Sequence, residues 1–190
     1  MTEASPFARD ARLADGTLVH LRPLHAADEA EFLRGFAALS RESRYRRFLD
    51  SVQKLTPDQI TYLTNVDGKE HVAWIVSFDD EQGVERGAAV ARSIREREDR
   101  TIAEFAIAVT DAWQGRGVGR LLTETLARVA FFDGVRRWRA TMLADNVPVQ
   151  RCLARVATEE ERRVEDRGSI EAVYRLNVPV DATPSPSATR

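Results

Sequence analysis

Three glycines alternate in the hexapeptide Gln114-Gly115-Arg116-Gly117-Val118-Gly119, between an apolar run and an amphipathic pattern. No other feature constrains the chain as strongly. Before it, Ile102-Ala103-Glu104-Phe105-Ala106-Ile107-Ala108-Val109 is apolar on both faces except at Glu104, as a central strand covered on two sides should be. After it, Val118, Leu121, Leu122, Thr125, Leu126, Val129 and Ala130 recur at helical spacing. The glycines therefore turn a buried strand into a helix. Three of them at a helix start weaken it unless something compensates. Alternating glycines admit a ligand close to the backbone and turn several N–H groups toward one point. The helix behind them adds unpaired donors and a partial positive charge. The combination suits a diphosphate held on residues 115 to 120. Two familiar phosphate loops are excluded. A P-loop ends in Gly-Lys-Ser/Thr, whereas Gly119 precedes Arg120-Leu121, and a GxGxxG counted from Gly115 needs a glycine at position 120.

The remaining pattern surrounds this junction with a sheet. Asp15-Gly16 followed by the alternation Thr17–Pro23 predicts a hairpin with a short strand before it. Helices are expected over 26–39 and 40–49, and a third from Thr56-Pro57-Asp58-Gln59, where Thr56 and Gln59 form a capping box and Pro57 fits the first turn. Val72–Phe78, Gly87–Ile94, Ile102–Val109 and Trp138–Leu143 read as strands. Asn146 and Pro148 start another helix, and 161–167 with 170–176 form a closing hairpin around Gly168-Ser169. This order defines an α/β (α+β) chain with helices on the faces of a mixed sheet. Residues 1–11 are polar and patternless, and 179–190 are rich in Pro, Ser and Thr. Both read as flexible tails around one domain at 12–178.

Composition removes several classes. A chain of 190 residues buries a core without a disulfide or metal staple. Cys152 is the single cysteine, and the histidines stand apart at 20, 25 and 71, so no zinc-finger-type site is expected and no metal is called for. No apolar run reaches membrane length and the start lacks an apolar signal core, which implies a cytoplasmic protein without a membrane partner. A net charge of −2 argues against a nucleic-acid binder.

The glycine hexapeptide resembles the Q/R-x-x-G-x-G/A motif of the GNAT superfamily of acyl-CoA-dependent N-acetyltransferases. The resemblance spans roughly 12 to 178, including the strand order, the strand ending at Val109 and an asparagine after the next strand. It is nearest to actinobacterial GNAT domains that resemble protein lysine acetyltransferases, through Asp15–Leu24, Leu39–Leu49 and Ala103–Val109. It implies a mostly antiparallel twisted sheet of six to seven strands flanked by about four helices. It implies acetyl-CoA as cosubstrate, its pyrophosphate on the N–H groups of Gly115, Arg116, Gly117, Val118, Gly119 and Arg120, with Gln114 beginning the cradle. The pantetheine arm is expected along the strand, at the backbone of Ile107 and Val109, where the sheet splays. Asn146 matches an asparagine that often touches the coenzyme; it also reads as a plain helix cap.

Transfer to an amine needs a neutral nitrogen. A lysine of pKa about 10.4 is short of that form at pH 7 by about 4.6 kcal/mol. A carboxylate can take the proton as attack proceeds, and Glu104 is the candidate, with Ala106 and Ala108 leaving space on its face. Burial there would raise its pKa; the plainer reading is an ion pair with Arg92 or Arg139. The tyrosine acid that many relatives carry seven residues after the asparagine is absent: Leu153 stands there, after Cys152. The Gly-Phe pair that commonly ends this helix is replaced by Val156-Ala157. Arg41, Arg44, Arg46 and Arg47 surround Tyr45 and read first as a solvated basic helix face; the resemblance implies that this region borders the acceptor site, where it would recognise an acidic acceptor or a protein surface. The leading expectation is transfer to a small-molecule amine or a protein lysine. The alternative is a catalytically weak CoA-binding sensor or regulatory module. The closing hairpin's exposed strand could pair two subunits into a homodimer.

Overall fold

A computed structural model describes residues 5–179 of the chain. Eight strands form one sheet: β1 (Arg9–Arg12), β2 (Leu18–Pro23), β3 (His71–Asp79), β4 (Glu85–Arg95), β5 (Ile102–Val109), β6 (Arg137–Leu143), β7 (Ala157–Val164) and β8 (Ser169–Leu176). Five α-helices accompany them: α1 (Glu29–Ala37), α2 (Arg41–Phe48), α3 (Pro57–Thr64), α4 (Val118–Phe132) and α5 (Val147–Leu153). The spatial order is β1-β2-β3-β4-β5-β6-β8-β7, and only β5 and β6 pair in parallel. The mixed, mostly antiparallel architecture is as expected, with one strand and one helix beyond the expected numbers.

The additional strand lies in the segment read as an N-terminal tail, which must be shortened. β1 pairs with β2 from Arg9↔Leu21 to Arg12↔Leu18. Its polarity hides two anchors: Phe7 stacks on Phe132 of α4 at 5.5 Å, and Arg9 Nη2 donates to Thr125 Oγ1 at 3.3 Å. Of the expected C-terminal tail, 180–190 lie outside the described residues, as do 1–4.

Side-chain alternation sorts the sheet into two faces. One receives α4, whose Val118, Leu122 and Leu126 are fully buried, each contributing about 1.5–3 kcal/mol of apolar burial. Trp74, Phe105 and Trp138 meet that helix from the sheet; Phe105 stacks on Trp138 at 4.6 Å, and the buried Trp138 indole donates to Ser93 Oγ at 3.0 Å. The other face carries Ile75, Val90, Arg92, Ala106 and Ala108 beneath α1 and α2. α3 starts as the sequence predicts, with Thr56 and Gln59 in a reciprocal capping box and Pro57 in the first turn.

Two irregularities shape the sheet's centre. Val76 pairs with Ala89 and Ser77 with Gly87, so Ala88 is an extra residue in β4, a bulge. Its carbonyl accepts from Thr110, through N at 2.9 Å and Oγ1 at 3.0 Å, which pins the end of β5. The second concerns β5 and β6. Their pairing covers only Ile102↔Arg137, Ala103↔Trp138 and Glu104↔Arg139. Beyond it β5 stays with β4 to Val109, and β6 stays with β8 to Leu143, so the two strands part. At the far edge β7 is a charged strand, with Glu159, Glu160, Glu161, Arg162 and Arg163 all exposed. Such a row discourages pairing with another sheet.

The Thr110 hydroxyl is buried and satisfied only through the bulge. Thr110→Val should lower stability by about 1 kcal/mol, a reduced urea midpoint at unchanged slope. An unchanged midpoint would show that the bulge is held by the backbone bond alone.

Candidate active site at the strand parting

Gly115 and Gly117 adopt φ values of 73° and 91°, conformations that strain any residue with a Cβ. A Cβ built on either meets nothing within 4 Å, so the loop's outer side is open to a ligand. Gly119 differs. Its φ is ordinary, and a Cβ would sit 3.5 Å from Val109 Cγ2, 3.7 Å from Cys152 Sγ and 3.9 Å from Ile107 Cδ1, all ordinary contacts. It serves close packing of α4 onto β5. Gly117 is the N-cap of α4, and no side chain caps this helix. The first helical bond is Leu121 N to Gly117 O, which leaves the N–H groups of Val118, Gly119 and Arg120 at the open end. No carboxylate occupies the first turn. A 15-residue helix with an uncapped N-terminus, two left-handed glycines before it and no acidic residue in its first turn is arranged for an anion.

The flanking side chains hold the loop. Arg116 donates from Nε and Nη2 to Asp15 Oδ2 at 3.0 and 2.7 Å and from Nη2 to Thr17 Oγ1 at 2.8 Å, and lies over Trp113 at 4.1 Å. Hydrogen bonds from Thr17 and then Arg116 hold the Asp15 carboxyl at about 2. Arg116 therefore offers the cradle its backbone, with its guanidinium turned to the β1–β2 hairpin. Gln114 Nε2 donates to Ser43 Oγ at 3.0 Å, Asp111 Oδ1 at 3.1 Å and Val109 O at 3.2 Å. Ser40 N donates to Asp111 Oδ2 at 2.9 Å, tying the start of α2 to the loop. Thus Gln114 positions the loop, and the Val109 carbonyl, one of the groups assigned to the pantetheine arm, already accepts a bond. Arg120 stands exposed near Glu124, at 3.9 Å.

Between the parted strands lies a groove of about 150 Å³. Glu104, Ala106, Ile107 and Asn146 line it, with Arg46, Arg47, Phe48 and Leu49 from the end of α2. Glu104 is exposed, contrary to the burial expected from its apolar neighbours, because the parting opens its face. No salt bridge engages it among the described residues. Arg139, one proposed partner, instead binds Glu96 at 2.8 Å and Glu171 at 3.0 Å. Asn146 is buried at the N-cap position of α5 but makes no capping hydrogen bond, so its amide remains for the groove. Leu153 is fully buried, while Cys152 is half-buried and burial pushes its thiol pKa up, as befits a packing residue.

Of the arginines of α2, Arg41 stays exposed, but the other three are half-buried and do not form a solvated face. Arg44 donates to Ala37 O at 3.1 Å and Gln53 O at 3.0 Å and lies over Phe36 at 4.6 Å; Arg46 pairs with Glu42 at 3.0 Å. Arg47 is half-buried, and loss of solvent lowers its pKa. Leu49 ends the helix in a left-handed conformation, φ 54°, its N–H bonded to Tyr45 O at 2.8 Å. That conformation is strained for leucine.

Sequence reasoning named Arg92 only as a partner for Glu104 and left Arg47 and Phe48 within a basic helix. Arg92 is 2% exposed, and its Nη1 contacts Leu63 O at 3.1 Å and His71 Nε2 at 3.0 Å. The available signal was a lone arginine inside the apolar run Ala88–Ile94. Burial, and then the charge of Arg92, pushes the His71 pKa down to about 4. His71 is thereby kept neutral, free to accept from the guanidinium.

Residues 25–157 match the acetyltransferase (GNAT) family. The chain belongs to that family. It is 35% identical over 170 residues to acetyltransferase Pat of Mycolicibacterium smegmatis, an alignment covering 89% of this chain and 49% of Pat. The chain thus spans about half the length of that relative. The GNAT domain of S. lividans PAT superposes with a TM-score of 0.78 at 26% identity, over 90% of this chain and 98% of that domain. YncA of Salmonella typhimurium, a putative acetyltransferase solved with its cofactor acetyl-CoA, shares the fold with a TM-score of 0.65 at 17% identity, over 88% and 98% of the chains.

Two predictions follow from the loop and from His71. Gly117→Val should weaken acetyl-CoA binding by at least tenfold in calorimetry, since it strains φ and fills the open side. Gly119→Ala should leave binding within about threefold, because its Cβ faces Val109 and Cys152. Equal effects would separate the cradle from the glycine geometry. The folded-state pKa of His71 lies below its unfolded value of about 6.5. The unfolded chain therefore takes up the proton first, and the stability held above that pH is lost as pH falls from about 6.5 toward 4. His71→Gln keeps an acceptor for Arg92 and should flatten this part of the Tm–pH curve; an unchanged curve would clear His71.

Proposed function

We propose that this chain is an acetyl-CoA-dependent N-acetyltransferase in which Glu104 is the general base. The observation that carries the reading is the coincidence of three things at one strand parting. The uncapped α4 N-terminus stands at one end, the groove runs beside β5, and an unpaired, exposed carboxylate faces into it. Family membership and the acetyl-CoA found in YncA support the same assignment.

The residues fit the cosubstrate. The N–H groups of Val118, Gly119 and Arg120, with the left-handed Gly115 and Gly117, would hold its diphosphate. Unpaired backbone along 105–109 and the Asn146 amide would hold its arm, the Val109 carbonyl excepted. Bound there, acetyl-CoA would supply an activated acyl carbon at the parting.

The chain's own part is to hold the amine and move its proton. The Glu104 carboxylate accepts that proton as the nitrogen attacks, directly or through one water, which offsets part of the deficit of about 4.6 kcal/mol for an ordinary alkylamine. Ala106, two residues on, keeps the adjoining face low enough for the acceptor to approach. Turnover is proposed for a primary amine in the cytoplasm, without a metal.

Glu104→Gln should lower kcat by about 10²–10⁴ at neutral pH, with partial recovery at high pH, where more amine is already neutral. Acetyl-CoA affinity should hold, because the cradle is elsewhere. The melting temperature should stay within a few degrees, because Glu104 is exposed and makes no ion pair. A preserved rate with early melting would make Glu104 a structural group. Binding without turnover on any amine would favour the sensor reading, to which the fully buried Leu153 at the usual tyrosine position lends support.

A further inference from the structure

Beside the Glu104 groove, on the same face of the sheet, lies a second cavity of about 70 Å³ between α1, α2 and strands β3 to β5. Its walls are largely apolar, with Phe32, Phe36, Leu39, Leu63, Ile75 and Val90 among them. Two guanidinium groups line it as well, those of Arg47 and Arg92. Arg47 and Phe48 line both this cavity and the groove. Arg92 pairs in register with Ala106, and Ala106 lies two residues from Glu104 on one strand face. The carboxylate and the guanidinium are therefore diagonal neighbours across β4 and β5, with Cα atoms about 7–8 Å apart.

Neither arginine forms a salt bridge, although the Glu104 carboxylate attracts both at longer range. Among the described residues, no carboxylate lies within 4.0 Å of either guanidinium. The partners of Arg92 are both neutral, a carbonyl and the uncharged His71. Arg47 lies over the Phe48 ring at 4.9 Å. The two carboxylates in the cavity wall are engaged elsewhere. Asp28 is gripped by Arg22 through two bonds of 2.8 Å, and Glu31 binds Arg34 at 2.7 Å and the Gly87 N–H at 2.8 Å. Burial, followed by the repulsion of Arg47, drives the Arg92 pKa down to about 9. Two like charges beneath apolar walls are offset only in part by Glu104 at longer range, and an anion bound directly between them would complete the compensation.

We propose that this cavity is the acceptor pocket, and that Arg92 and Arg47 bind a carboxylate carried by the amine acceptor. The acceptor would be a small amino acid with an apolar side chain. Its amine meets Glu104, its carboxylate meets the two guanidiniums, and its side chain fills the aromatic and aliphatic walls. A planar guanidinium matches a carboxylate through paired hydrogen bonds. A free amino acid suits the site better than a peptide, because Arg92 is only 2% exposed. Cationic acceptors such as polyamines and aminoglycosides would bring positive charge against the buried Arg92 and the half-buried Arg47 and should be rejected. This inference rests on the transferase reading for the role of Glu104.

The test uses the full chain with acetyl-CoA and matched acceptors: leucine and phenylalanine, their methyl esters, the corresponding decarboxylated amines, spermidine, and a lysine peptide with acidic neighbours. Free amino acids should be acetylated with kcat/KM at least tenfold above their esters and decarboxylated amines. Arg92→Gln should reduce that preference to within about threefold while leaving acetyl-CoA affinity unchanged by calorimetry. Arg47→Gln, at a half-buried position, should narrow it as well if the Arg92 variant fails to fold. Equal rates on acid and ester, or a preference for spermidine or the peptide, would overturn the pocket assignment and leave the transferase reading standing. If no amine is turned over, the transferase reading fails, and thermal shift with the same amino acids and CoA decides the pocket separately. Stabilisation by the acids and not the esters supports it, and no shift with any of them overturns it.

Discussion

The parting of β5 from β6 is the constraint on which the rest of the molecule depends. Parallel pairing needs both strands to keep one spacing, and here it stops after Glu104↔Arg139. What separates them is that each keeps its other neighbour. β4 holds β5 through Val109, and β8 holds β6 through Leu143. The bulge at Ala88, clamped by Thr110, secures the β4 side. An unpaired strand edge inside a protein is unfavourable unless its N–H and C=O groups find partners. Gln114 supplies one, at the Val109 carbonyl, and an extended ligand arm would supply others. The groove, Glu104 and the uncapped N-terminus of α4 all lie along this one opening.

Charge is distributed around it by the same logic. With 28 Lys and Arg against 30 Asp and Glu, the chain is nearly neutral overall, and somewhat under half of its basic groups form ion pairs among the described residues. Arg22 binds Asp28 and Glu85, Arg116 binds Asp15, and Arg139 binds Glu96 and Glu171. What distinguishes the site is where its unpaired groups lie. The α4 N-terminus carries donors and no acid, Glu104 has no partner, and Arg47 and Arg92 face an apolar cavity. Net charge says nothing of these sites, because they depend on where particular unpaired charges are placed.

The backbone plan was legible in the sequence wherever periodicity and turn chemistry agreed. The strand Ile102–Val109, the glycine turn and the amphipathic helix behind it follow from spacing alone, and the Thr56 capping box from four residues. A short strand before Asp15-Gly16 is expected from the sequence, but its start falls within the expected tail because a four-residue polar strand has no pattern; Phe7 and Arg9 anchor it through contacts with α4 more than a hundred residues away. The environment of Glu104 was misjudged for a related reason. Alternation says which face a residue shares, but not whether two strands part beyond it. The arginines of α2 looked like a solvated stripe, since sequence cannot show that Arg44 folds back onto Phe36 or that Arg47 turns under the helix. Asn146 allowed two readings, and the absence of a capping bond favours the groove.

The missing tyrosine weighs less than it first suggests once the two proton problems are compared. An alkylamine at pH 7 must lose a proton against about 4.6 kcal/mol. A departing thiolate with a pKa near 8.5 lacks its proton by only about 2 kcal/mol at the same pH. The base is therefore the larger need and the acid the smaller. A site that keeps a carboxylate at the parting and fills the usual acid position with a fully buried leucine has retained the more valuable group. Cys152, adjacent in sequence, is a poor substitute, since burial raises its pKa and its sulfur packs beside Gly119. An α-amino acid reduces the first deficit further. Its amine ionises below that of a lysine side chain, so less is asked of Glu104. An acceptor whose nitrogen is already easier to deprotonate is compatible with a site that has a base and no dedicated acid.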